Sequence, residues 1–172
     1  MAEVYWAARD LSSFFLGNHQ FILIFLEANE AMQRVEIQEE GGKRFVTLAG
    51  HQPNGDLVYV PNQTDDIASV RESINTNLRG RFRDFDLEKH YISPPTGGGW
   101  SFAFQLEQLA ERYAANVQNN PVDYDLGDRN CSTWVNTLLK VAGVSASVRL
   151  KEGEFRGIDC GEENLLDENL FK

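Results

Sequence analysis

A cysteine and a histidine that are far apart in the sequence are the residue types needed for nucleophilic acyl chemistry. Cys131 stands at the start of a predicted helix, and His19 stands directly before the most strand-like segment of the chain. A thiolate at a helix N-terminus is stabilised by free backbone N–H groups and the helix dipole, and those N–H groups can double as an oxyanion hole. The pair predicts a cysteine nucleophile with His19 as its general base. The alternative is a small buried hydrophobe at position 131 and a loop histidine held by backbone groups.

A second histidine is a candidate for the third member of such a site. His51 ends the next clear strand, so sheet pairing would bring it beside His19, where it would fix the imidazole tautomer. Gln52, Asp56 or a backbone carbonyl would serve the same purpose, and this choice stays open. His90 lies in an irregular segment and is expected to be exposed.

Two polar neighbours and one further cysteine complete the set of candidate residues. Asn130 and Gln20 adjoin the two reactive residues and are predicted to donate to an oxyanion or to support the site. Cys160 lies in an acidic, turn-like segment that raises a thiol pKa, so we expect it to be passive, although a disulfide with Cys131 stays open. The spacing of the two cysteines and three histidines matches no zinc or redox motif, so no metal or cofactor is expected.

The elements that must position these residues are visible in the hydrophobic pattern. Residues 20–26 are apolar on both faces, which is typical of a central strand. Further strands are predicted at 35–37, 44–48 and 57–60, separated by the turn signals Gly41-Gly42 and Asn54-Gly55, and residues 3–8 form a strand or a turn.

Helical periodicity takes over in the second half of the chain. A helix capped by Thr64 is predicted to run to about 74, with Asp65 and Asp66 in its first turn. Two further helices are predicted from 100 to about 118 and from 131 to a stop at Gly143. Residues 79–99 and the last thirty residues are predicted to be irregular. The chain is therefore predicted to be a single α+β domain over residues 1–172, with an antiparallel sheet packed against a few helices.

Composition and charge exclude several kinds of function. The 172 residues include 26 Asp plus Glu against 16 Lys plus Arg, a formal net charge of -10, so phosphate backbones and anionic lipids are repelled. The longest apolar run, 21–26, is too short to cross a bilayer. The N-terminus lacks the features of a Sec signal, so the chain is expected in the cytoplasm of the producing cell or to be exported by another route.

Two segments carry a resemblance to a known family. Residues 17–24, GNHQFILI, and residues 130–139, NCSTWVNTLL, followed by Ala142-Gly143, resemble the circularly permuted papain-fold cysteine hydrolases, in which histidine precedes cysteine. That group includes permuted NlpC-type cell-wall peptidases, lecithin:retinol acyltransferase-like enzymes, permuted deubiquitinating peptidases and antibacterial effectors of type VI secretion. The resemblance gives Cys131 the role of nucleophile, His19 that of base and His51 the third position.

The resemblance implies acyl transfer through a thioester, and it favours a peptidoglycan amidase or endopeptidase that acts as an exported antibacterial toxin. The implied partners are a peptide or cell-wall substrate, an immunity protein and a secretion apparatus, with no nucleic acid. Two other interpretations stay open. One is a lipid or protein acyl hydrolase or acyltransferase of the same fold, and the other is a non-catalytic acidic binding module.

Overall fold

An antiparallel sheet, with six strands in the part of the chain that the structure describes, forms the centre of the fold. A computed structural model of the chain describes residues 1–10, 18–75, 87–153, 155 and 164–172. The strands are β1 Glu3–Asp10, β2 Asn18–Leu26, β3 Gln38–Glu40, β4 Lys43–His51, β5 Val58–Pro61 and β6 Leu87–Tyr91. The sheet has the order β3-β4-β2-β1-β6, and β5 pairs with β4. The predicted α+β class with an antiparallel sheet is confirmed.

Strand β2 is buried on both faces because helices cover both sides of the sheet. The helices are α1 Thr64–Ile74, α2 Gly99–Val117, α3 Cys131–Val141 and α4 Ala146–Glu152, with a 3-10 turn at Glu168–Phe171. On one face of β2, Ile22 and Ile24 join the core formed with α2 and α3, and on the other Phe21 and Leu23 pack with Val70 of α1. The central strand predicted at residues 20–26 is therefore confirmed, and it is longer than the apolar run.

Helix α3 lies across β2 and β4 with its apolar stripe against the sheet. Trp134, Val135, Leu138 and Leu139 are fully buried, and the helix stops before Gly143, whose φ of 91° is a left-handed conformation that favours glycine. The first residue of this helix is therefore held at the edge of the sheet by the packing of the residues that follow it.

Three predictions about local structure are wrong. Residues 35–37 are not a strand, because the backbone N–H groups of Gln33, Arg34 and Val35 donate to the Glu107 carboxylate at 2.9, 2.8 and 3.0 Å instead of to a neighbouring strand. The segment Leu87–Tyr91 is not irregular, since it pairs with β1 as an edge strand. The C-terminal region contains α4, whose Arg149 bonds Asn136 of α3 at 2.8 Å.

Candidate functional site

Cys131 occupies the first position of α3, at a gap in the sheet. Pairing between β2 and β4 ends at Ile22 and Leu48, so the first residues of β2 pair with β1 but not with β4. The backbone N–H of Gln20, at this open edge, donates to the Cys131 sulfur. Asn130 caps the helix, with Oδ1 accepting from the Thr133 N–H at 3.1 Å. The thiol is therefore buried at the point where β2 and β4 are no longer paired.

Glycine at position 50 allows α3 to come this close to β4. A Cβ atom on Gly50 would lie 2.7 Å from Cγ of Trp134 and 3.0 Å from Cδ1 of Leu57, well inside an ordinary contact. The Trp134 ring is held in place, since it stacks on Tyr59 at 5.7 Å between ring centroids. The register of α3, and with it the position of the thiol, depends on the absence of a side chain at this residue.

His19 lies in β2 beside the thiol and hydrogen-bonds with it. It also contacts Asp66, in the first turn of α1, where Nε2 and Oδ2 are 3.3 Å apart. The ring N–H is poorly aligned on that oxygen, so charge attraction contributes more to this contact than hydrogen bonding does. The structure thus brings together a sulfur, an imidazole and a carboxylate from α3, β2 and α1.

Arg9 of β1 holds the other oxygen of the same carboxylate. It lies directly opposite His19 in the strand pairing, and its Nε donates to Oδ1 of Asp66 at 2.7 Å. Asp66 itself is placed by the helix start, because Oε1 of Gln63 accepts from the backbone N–H groups of Asp65 and Asp66 at 2.7 and 3.0 Å. The carboxylate is shared between two cationic or potentially cationic side chains.

Electrostatics favour the charged forms of these buried groups. Burial raises the pKa of the Cys131 thiol, but the neighbouring His19 and the Gln20 N–H outweigh it and leave that pKa below its ordinary value. Burial opposes the imidazolium, yet Asp66 and Cys131 raise the pKa of His19 above its ordinary value. Burial likewise disfavours ionised Asp66, and His19 and Arg9 reverse this, so the carboxyl pKa is lowered. These shifts favour a thiolate–imidazolium pair relative to what either group would show alone.

His51 lies at the rim of this cluster. Its ring packs edge-on against that of His19, with centroids 5.6 Å apart, and it is about half-buried. Burial and the positive charge of His19 lower the pKa of His51, which keeps it neutral when His19 is charged. The group next to Nε2 of His19, where a third catalytic residue is expected, is the carboxylate of Asp66 and not His51. The third catalytic role assigned to His51 stays a prediction.

The two predicted oxyanion residues have defined places. Gln20 is fully buried, and its Oε1 accepts from Nε1 of Trp6 at 2.9 Å while its backbone faces the thiol. Asn130 adjoins the thiol as the helix cap, and its Nδ2 donates to the carbonyl of Leu126 at 2.7 Å. Their contribution to an oxyanion hole stays a prediction, and Cys160 lies outside the described residues.

Sequence reasoning missed the two charged residues at the centre of the cluster. The sequence indicates for Asp66 only a charge in the first turn of a helix, and nothing in the local pattern says that this turn faces His19. A signal for Arg9 was present. It follows the apolar run Val4 to Ala8 in a strand, where a charged side chain is rarely buried without a partner.

Comparison with protein-family models, with curated protein sequences and with solved structures finds no match to this chain. Within the described residues, no helix is long and apolar enough to cross a membrane. The same residues contain no group of three or more His, Cys, Asp or Glu side chains arranged to hold a metal ion. The site must therefore be interpreted from its own chemistry.

Proposed function

We propose that this chain is a cysteine hydrolase that cleaves amide bonds, with Cys131 as nucleophile, His19 as general base and Asp66 as the group that orients and charges the imidazole. The observation that carries the proposal is the buried contact chain from sulfur to imidazole to carboxylate. A lone structural cysteine needs no such partners, and a satisfied structural histidine needs no thiol. Three groups of this kind from three separate elements are the arrangement of an activated nucleophile.

The first half-reaction is acylation. The Cys131 thiolate attacks the carbonyl carbon, and the negative charge that develops on the oxygen is met by the first backbone N–H groups of α3, those before Thr133, whose own N–H already donates to Asn130. Because Nε2 of His19 faces Asp66, Nδ1 is the nitrogen that exchanges a proton with the substrate. The imidazolium gives that proton to the leaving amine, the carbon–nitrogen bond breaks, and a thioester remains on Cys131.

The second half-reaction is hydrolysis of the thioester. Neutral His19 removes a proton from water, the hydroxide adds to the thioester carbonyl, and the carbon–sulfur bond breaks to release the acid. The sulfur leaves as a thiolate beside the imidazolium, which restores the starting pair. Asp66 stays ionised throughout and stabilises the positive ring each time it forms.

The proposed substrate is the peptide part of peptidoglycan. Support comes from the resemblance to permuted papain-fold hydrolases, because histidine precedes cysteine and the helix that begins at Cys131 packs on an antiparallel sheet. The same resemblance favours an antibacterial effector delivered by a secretion apparatus and neutralised by an immunity protein in the producing cell.

The test uses purified sacculi and chromatography of the released fragments. The wild-type protein is expected to release new amine termini, and Cys131→Ala and His19→Ala are each expected to abolish release while keeping the wild-type circular dichroism. Cys160→Ser, which removes the other cysteine, is the matched control and is expected to retain activity.

Two results would overturn parts of this proposal. Full activity of folded Cys131→Ala would remove the cysteine mechanism altogether. Inactivity on sacculi with Cys131-dependent turnover of a panel of acyl esters would instead assign the site to the acyl hydrolase or acyltransferase class.

A further inference from the structure

A buried arginine lies next to the reactive pair, and the proposed mechanism of cysteine, histidine and aspartate gives it no role. Arg9 is only 4% exposed, and it lies on the same face of the sheet as His19 because the two residues are directly opposite each other in β1 and β2. Burying a guanidinium is costly unless it is paired, and it is paired here with Asp66 at 2.7 Å. Its second contact is weaker, with Nη2 3.7 Å from Oδ2 of the more exposed Asp65.

The charges of the cluster alternate along the contact chain. Arg9 is positive, Asp66 negative, His19 positive in the ion-pair state and Cys131 negative, so the four buried groups sum to zero. Without the arginine, a buried carboxylate and thiolate would share one imidazolium, leaving a net negative charge with little access to water. A buried uncompensated charge is avoided by taking up a proton, and the thiolate is one of the two groups that would do so.

We propose that Arg9 is a positioning residue that fixes the Asp66 carboxylate and balances its charge, so that His19 remains available to pair with the Cys131 thiolate. This role depends on the proposed cysteine mechanism and extends it to a residue that touches neither the sulfur nor the substrate. A purely structural role, in which Arg9 only attaches α1 to the sheet, would leave the ionisation of the thiol unchanged.

The ionisation of Cys131 is also subject to the other titratable groups around it. Among the described residues these are His19 on β2, His51 on β4, and Asp65 and Asp66 on α1. His51 stays neutral, and Asp65 is largely exposed and therefore screened by solvent. Arg9 adds a permanent positive charge to these groups, so its removal is expected to make ionisation of the Cys131 thiol less favourable.

The experiment measures the rate of Cys131 alkylation by iodoacetamide as a function of pH, in the full chain carrying Cys160→Ser. The variants are Arg9→Gln, which removes the charge, and Arg9→Lys, which keeps the charge but loses the fork. Arg34→Gln is the matched control, because Arg34 has a side chain that is 69% exposed on another part of the molecule. It changes the net charge equally without touching the cluster.

Arg9→Gln is expected to raise the pH midpoint of alkylation by about one unit, which lowers the rate below that midpoint about tenfold. Arg9→Lys is expected to keep the midpoint close to that of the wild type, because the positive charge remains. Arg34→Gln is expected to leave the midpoint unchanged. If Arg9→Gln does not fold, Arg9→Lys alone decides, since a folded lysine variant with a full one-unit shift contradicts charge balance. An unshifted midpoint in folded Arg9→Gln would overturn the proposal.

The same data separate this inference from the proposed function. A wild-type midpoint typical of a free thiol, near 8.5, would refute the activated cysteine itself. A low wild-type midpoint that is unaffected by Arg9→Gln would refute only the role of Arg9.

Discussion

Replacement of Gly50 by alanine tests whether the packing of α3 on β4 positions the thiol. The added Cβ would lie 2.7 and 2.8 Å from Cγ and Cβ of Trp134, and 3.0 Å from Cδ1 of Leu57. Ordinary carbon contacts need roughly 3.5 to 4.0 Å, so α3 and β4 must separate by about 1 Å. Trp134 cannot turn away, because it is fully buried against Tyr59 and Tyr113.

The expected cost has a structural and a chemical part. Overpacking of this kind costs about 1–3 kcal/mol of unfolding free energy. Because Cys131 lies on the same rigid helix three residues before Trp134, its sulfur moves away from His19, and loss of that neighbouring charge slows alkylation at pH 6 about tenfold. The proposed hydrolysis, which depends on the position of the sulfur, is expected to fall about 100-fold.

Urea unfolding followed by fluorescence gives the first quantity, and iodoacetamide labelling read by mass spectrometry gives the second. Gly98→Ala is the control, because a Cβ there meets nothing within 4 Å and its φ is -92°. It is expected to cost at most about 1 kcal/mol, because alanine is a poorer N-cap of α2 than glycine, and to leave the alkylation rate unchanged. Lower stability of Gly50→Ala with an unchanged alkylation rate would refute the link between this contact and the position of the thiol.

Three other substitutions have defined outcomes. Asp66→Asn leaves Arg9 buried without its counter-charge and is expected to lower the unfolding free energy at pH 7 by about 3 kcal/mol, measured by urea unfolding. Because the folded pKa of Asp66 is lowered, the stabilisation by its carboxylate is present above the ordinary carboxyl pKa. The difference in unfolding free energy between variant and wild type must therefore shrink as the pH falls to 3. Tyr113→Phe removes the 2.7 Å hydrogen bond to the Leu57 carbonyl and is expected to lower the unfolding free energy by about 1–2 kcal/mol; an unchanged urea midpoint would mean that the carbonyl finds another donor. Glu107→Gln replaces the carboxylate that accepts three backbone N–H groups and is expected to cost about 2 kcal/mol, whereas a Tm equal to that of the wild type would show that those bonds add nothing.

The parts of the fold that could be predicted from the sequence are those where one local pattern decides. The run of β-branched and aromatic residues at 20–26 leaves little choice but a buried strand, and the stripe from Trp134 to Ala142 fixes both the helix and its stop at Gly143. The glycine pair at 41–42 has positive φ angles, as its hairpin signal requires.

The parts that could not be predicted depend on partners distant in the sequence. Residues 35–37 alternate like a strand, but the Glu107 carboxylate of α2 accepts the backbone N–H of Val35 and those of the two residues before it. The contact between Asp66 and His19 likewise depends on how α1 lies on the sheet, and two adjacent aspartates in a helix start look alike in a sequence. One is exposed and the other is completely buried, and only the tertiary structure distinguishes them.

Cys131 and His19 are separated by more than a hundred residues and meet only when α3 lies against β2. In the unfolded chain the sulfur is an ordinary thiol, with no imidazolium, no Gln20 amide and no helix start beside it. Labelling of Cys131 that is faster than that of an ordinary thiol therefore reports completion of folding.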